Sequence, residues 1–173
     1  SAFLIGRRKS KADLSSFLLK RGIWLIFIEF TIVNFAWFFD YQFDTIGFLV
    51  IYCLGVSMLF LAAIIHLKLN HILIFSLVII LGHNSLDYLG IESSIAWSLI
   101  HEFGFFSLDN GKLLFVGYPI IPWIAVMSLG YYFGSFYDAS FPAEKRKRMF
   151  KIIGFTAVFA FMVSSGMSRW DQE

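Results

Sequence analysis

The chain has 173 residues, of which 58% are apolar and 15% charged, with 22 Phe, a mean hydropathy of +0.74 and a formal net charge of +2. A soluble domain averages about 45–50% apolar and about 25% charged residues, and a chain of this size leaves too much surface wet to hide the excess. The composition excludes a soluble enzyme, a disordered tail and a nucleic-acid-binding module, and makes the lipid bilayer the expected surrounding.

Apolar stretches follow one another at about 22–39, 46–65, 72–89, 118–137 and 150–167. Each can supply the ~20 residues that a span needs to cross ~30 Å of hydrocarbon. They are apolar on most faces, which suits lipid-facing helices. Barrel strands would alternate polar and apolar residues instead. The expected fold is all-α: a polytopic bundle of about five transmembrane helices plus a short outer interfacial helix, forming a single domain over 1–173.

Arg7, Arg8, Lys9, Lys11, Lys20 and Arg21 precede the first span, and Glu29 lies inside it. A carboxylate at that depth must face the bundle interior, pair with a cation or carry a proton. It is a functional candidate or a structural partner for another helix. Asn34, Trp37 and Tyr41 recur at helical spacing towards the outer end of the same span. They form either a polar-headgroup or sugar site, or an aromatic belt with a helix–helix hydrogen bond.

Cys53, the single cysteine, lies in the second span and excludes an internal disulfide or a CxxC redox pair. His66, Lys68 and His71 mark the short loop that leads to the third span, which closes with LGHNSLDYLG. In an α-helix, His83 and Asp87 at i, i+4 stand close together, with Asn84 and Asp87 at i, i+3. A carboxylate that orients an imidazole makes a general base. The plain alternative is a polar cap where the helix leaves the membrane. Two ligands make no metal site, and His101 with Glu102 is a weaker pair.

Within the outer loop, Ser94, Ser98, His101 and Glu102 share one face at 100° per residue, with apolar residues covering most of the rest. This spacing predicts a short helix in the outer interface, a lid or a binding element. Pro119 and Pro122 fit the first turn of the fourth span, where a missing N–H is tolerated. Gly130 and Gly134 form a GxxxG, suited first to close packing within the chain and second to a homodimer.

Lys145, Arg146, Lys147, Arg148 and Lys151 precede the fifth span, leaving Lys112 and Arg169 on the opposite side. That side holds Asp40, Asp44, Asp87, Glu92, Glu102 and Asp109. By the positive-inside rule the N-terminus is expected to be cytoplasmic and the 90–114 loop outside. The short loops and the lack of an organelle-targeting segment point to a bacterial inner membrane.

The strings GRRKSKADLSSFLLKRGIWLIFIEFTIVNF (6–35), ILGHNSLDYLG (80–90) and VGYPIIPWIAVMSLGYYFG (116–134) carry a likeness. In them the chain resembles the membrane acyltransferase family that includes heparan-alpha-glucosaminide N-acetyltransferase, and more narrowly its bacterial members. The resemblance covers nearly the whole chain. It implies a multi-span enzyme that moves an acetyl or other acyl group from acyl-CoA, a co-substrate and not a resident cofactor, to a sugar-type acceptor across the bilayer. The family's catalytic histidine sits in an N-terminal portion ahead of the basic loop that opens this chain. The resemblance therefore carries it to no position here, and implies part of a larger bundle. An outward acceptor pocket is expected near Asn34, Trp37, His83, Asn84, Asp87 and Tyr118, and the basic cytoplasmic residues would attract the CoA phosphates.

A non-enzymatic membrane protein, either a small transporter or a subunit of a larger complex, is the alternative. Glu29 would then be its proton or cation site, although no internal repeat supports a transporter.

Overall fold

The computed structural model describes residues 2–3, 6, 10–108 and 111–170, side chains at 160, 161 and 163–170 excepted. Arg7, Arg8, Lys9 and Asp109 lie outside the described residues, as does the side chain of Arg169. Two compact units are present, Ser1–Gly134 and Ser135–Glu173.

In the first unit, helix α1 (Lys11–Ile28) starts at a capping box. Ser10 Oγ accepts the Asp13 N–H at 3.1 Å, and the Asp13 carboxylate accepts the Ser10 N–H at 3.3 Å. This cap lies well before the expected span boundary, so the helix begins in the basic segment. It continues through a π turn (Glu29–Val33) into α2 (Asn34–Phe38), a helical run roughly 40 Å long at 1.5 Å per residue. Phe39, at φ 48°, ends it in the left-handed region.

Strand β1 (Thr45–Phe48) follows, then α3 (Val50–Ile64) and α4 (Leu69–Gly82). A 3-10 turn (His83–Leu89), α5 (Ile95–Ile100), β2 (Gly104–Ser107), β3 (Leu113–Val116) and α6 (Ile120–Phe133) complete the unit. The strands form a sheet of order β1-β3-β2, with β1 parallel and β2 antiparallel to β3. The protein is therefore mostly helical with a small sheet, and the all-α expectation is corrected. Residues 46–48 lie in a strand, which a short apolar run cannot distinguish from a helical turn.

Among the described residues, two helices, Leu69–Leu89 and Ile120–Tyr137, are long and apolar enough to cross a membrane. The 15-residue α3 is shorter. At about 22 Å it falls below the ~30 Å of hydrocarbon. Many large apolar side chains stand in the open, among them Ile23, Trp24 and Phe27 on α1 and Val78 and Leu81 on α4. A soluble surface rarely exposes apolar area on this scale.

The core gathers where the start of α1, the end of α3, the start of α4 and the end of α6 meet. It comprises Leu14, Leu18, Leu61, Ala62, Ile65, Ile72 and Tyr131. Ser15 Oγ donates to Ala62 O at 2.8 Å in the same region. Further along, α1 and α3 touch backbone to backbone. A Cβ on Gly22 would lie 2.8 Å from Gly55 O, and one on Gly55 would lie 2.9 Å from Gly22 O. A Cβ on Gly130, in the GxxxG, would meet nothing within 4 Å, so this glycine makes no such close contact in the first unit.

The second unit carries α7 (Ala143–Trp170), which covers the fifth expected span. Arg146 donates to Phe136 O at 3.3 Å, and its guanidinium stands over the Tyr137 ring at 5.2 Å.

Candidate functional site

Glu29 is fully buried. It sits on the first residue of the π turn, which aims it at the start of α3. The N-cap residue Leu49 supplies no side-chain oxygen, so the third N–H of the helix needs another acceptor. Glu29 Oε2 takes that N–H, from Tyr52, at 2.8 Å. A carboxylate at a helix N-terminus also complements the helix dipole. The other oxygen, Oε1, is buried without a partner among the described residues.

Around the π turn, side chains bond to backbone carbonyls in addition to the helical N–H groups. Thr31 Oγ1 donates to Phe27 O at 2.7 Å, and Asn34 Nδ2 donates to Glu29 O at 2.8 Å. The Asn34 amide also reaches β1. Its Nδ2 donates to Gly47 O at 2.9 Å, and its Oδ1 accepts the Gly47 N–H at 2.5 Å. Asn34 is thereby buried and committed to the backbone. Trp37 is 72% exposed, and Tyr41 lies beyond the helix end.

Trp37 and Tyr118 do come together. With Val33, Phe38, Leu49, Val50, Ile51 and Phe115 they line an apolar cavity of about 300 Å³. Its floor includes the first turn of α3, the turn that Glu29 caps. Asn84 is exposed and is not among the residues lining this cavity.

Asp40 organises the turn that leads from α2 into β1. Its Oδ2 accepts the N–H groups of Thr45 at 2.9 Å and Asp44 at 2.6 Å, and Oδ1 accepts that of Gln42 at 2.9 Å. These donors, Thr45 foremost, hold the carboxyl below the usual carboxylate range.

The outer cluster differs from its sequence-based expectation. His83–Leu89 is a 3-10 turn, with three residues per turn, so residues four apart no longer stack. His83 Nδ1 lies 3.0 Å from Ile80 O. Asp87 instead meets His101, with Oδ1 2.7 Å from Nε2. His101 also packs on Trp97, with ring centroids 5.0 Å apart. The amphipathic spacing of Ser94–Phe103 gave the signal for the polar face of α5, but no local pattern links it to Asp87. No group of three His, Cys, Asp or Glu suited to a metal is present among the described residues.

The Asp87–His101 arrangement can hold an imidazole in one tautomer and stabilise its charged form, as base chemistry requires. The cavity between Trp37 and Tyr118 can hold an apolar group. Compared with known proteins, the family model described as heparan-alpha-glucosaminide N-acetyltransferase, catalytic, matches residues 2–166. No curated protein and no solved structure matches the chain.

Proposed function

This chain belongs to the heparan-alpha-glucosaminide N-acetyltransferase catalytic family, and from that premise we propose that it is part of an integral membrane acyltransferase. The acyl group passes from acyl-CoA to an amine or hydroxyl of a sugar-type acceptor. The family match over residues 2–166 carries this reading. One further observation supports it: the exposed apolar helix surfaces fit lipid.

The helical run from Lys11 to Phe38, with α3, α4, α6 and α7, makes up the five-helix set of this proposal. Basic residues of α1, such as Lys20 and Arg21, face the cytoplasm and draw in the CoA phosphates. The acceptor arrives from the other side of a bacterial inner membrane, where Asp87 and His101 lie.

The test is acyl transfer by the full-length protein that carries this chain, in lipid nanodiscs, using acetyl-CoA labelled in the acetyl group and glucosamine. Labelled N-acetylglucosamine is the expected product. A full-length protein that binds no acetyl-CoA and yields no product overturns the proposal in favour of a non-enzymatic membrane protein.

A further inference from the structure

Of the outward pocket expected from the sequence, Trp37 and Tyr118 line the cavity of about 300 Å³, and the polar members do not. Asn34 is spent on the Gly47 backbone, and His83, Asn84 and Asp87 belong to the 3-10 turn outside the lining. None of the lining residues carries a charge. Their only polar side-chain groups are the Trp37 indole N–H and the Tyr118 hydroxyl. At the floor, the Tyr52 N–H of the first turn of α3 is already taken by Glu29. A sugar ring carries a hydroxyl on most of its carbons, and such a wall would leave most of them unpaired. The lining suits hydrocarbon.

The exposure of the lining says where that hydrocarbon comes from. Trp37 and Val50 are 72% and 38% exposed, while Val33, Leu49 and Ile51 are half-buried. The helical run that carries Trp37 also exposes Ile32, Phe35 and Phe39. The rim of the cavity is thus continuous with the apolar surface read above as facing lipid. Just past Trp37 the chain enters the polar turn that Asp40 organises, with Tyr41 exposed on it. Aromatic rings beside a polar turn sit at the level of the lipid headgroups. An occupant that enters from the bilayer here keeps its chain in the cavity and its head at the turn.

We propose that the acceptor of acyl transfer is a sugar carried on a lipid, and that the cavity between Trp37 and Tyr118 receives the hydrocarbon chain of that lipid. This rests on the acyl-transfer reading above and narrows its acceptor. The chemistry is unchanged: the thioester C–S bond breaks and a C–N bond forms at the sugar amine. The proton which that amine loses ends on the CoA thiol. The chain contributes binding and holds the sugar at the outer surface of the membrane.

The test compares acetyl transfer to glucosamine and to decyl glucosaminide, by the full-length protein that carries this chain, in nanodiscs. The decyl compound is expected to show a kcat/KM about 10-fold or more above that of glucosamine, the gain from burying two or so methylenes. Val50→Trp blocks the rim and should shrink that ratio severalfold. Val78→Trp, on the exposed face of α4, should keep it. A ratio near one in the wild type, or one that Val50→Trp leaves as high as Val78→Trp does, overturns the lipid-borne acceptor alone. The second outcome would mean that the advantage comes from partition into the bilayer. Photolabelling of the wild type with a decyl glucosaminide bearing a diazirine in its chain needs no variant, and serves if Val50→Trp fails to fold. Label concentrated at Val33, Trp37 and Ile51 is expected, and label no denser there than at Val78 and Leu81 overturns the proposal. A wild type that acetylates neither compound overturns the acyl-transfer reading and the acceptor with it.

Discussion

Asn34 pairs with Gly47 much as one strand pairs with another, accepting its N–H at 2.5 Å and donating to its carbonyl at 2.9 Å. Gly47 lies on β1, an edge of the sheet, so a helix side chain occupies a position that a fourth strand would take. The same amide also satisfies Glu29 O in the π turn. One residue thus ties the first helical run to the sheet beside the cavity.

Replacing Asn34 by Leu strands the Gly47 N–H and C=O in a buried place. Each unsatisfied buried group costs about 1–3 kcal/mol. Thermal unfolding in nanodiscs should therefore fall clearly, and the bend into β1 should loosen to hydrogen exchange at Gly47. Asn34→Asp keeps the acceptor but loses both donor bonds, so it should lie between the wild type and Asn34→Leu. A Leu variant as stable as the wild type would contradict this role.

The backbone contact of α1 with α3 makes an independent prediction. Gly22→Ala and Gly55→Ala each place a methyl less than 3 Å from a carbonyl oxygen, and overpacking of this kind costs about 1–3 kcal/mol. Gly130→Ala adds a methyl into open space and should leave stability unchanged. Equal unfolding temperatures for all three variants would sink the assignment of the close contact.

Glu29 acts on α3 through the Tyr52 N–H. Glu29→Gln keeps an acceptor oxygen of the same reach and should retain the helix start. Glu29→Leu removes it, and loss of a cap costs about 0.5–2 kcal/mol. Because Leu49, Val50 and Ile51 line the cavity, the Leu variant should also raise hydrogen exchange there. Identical exchange in the Leu and Gln variants would count against the cap.

Asp40 gives stability a pH dependence of definite sign. Its folded carboxyl is held below the ordinary value of 3.8, chiefly by the Thr45 N–H. The contribution is present above that ordinary value and is lost as pH falls through the lower folded one. Unfolding temperature should drop on acidification below about pH 3.8, and Asp40→Asn should drop less over the same interval. Parallel curves for the two proteins would refute the assignment.

Much of the architecture was legible along the chain. The apolar stretches at 72–89 and 118–137 correspond to the two helices that are, among the described residues, long and apolar enough to cross a membrane. Pro119 stands at the N-cap of α6, one residue from the expected start. The site was less legible. Glu29, Asn34, Asp87 and His101 all stood out as polar residues in or beside apolar stretches, but their partners did not. His83 is four residues from Asp87 and misses it because the helix tightens to 3-10 there, whereas His101 is fourteen residues away and meets it.

Helix starts and apolar faces depend on neighbours within a turn or two, where backbone geometry repeats. The sequence alone therefore determined them. Which backbone group Glu29 caps, which strand Asn34 binds and which imidazole Asp87 holds depend on chain reversals that bring together residues 13 to 23 positions apart. No local period encodes that distance. The sheet β1-β3-β2, the contact of Gly22 with Gly55 and the pairing of Asp87 with His101 were decided only when the helices packed.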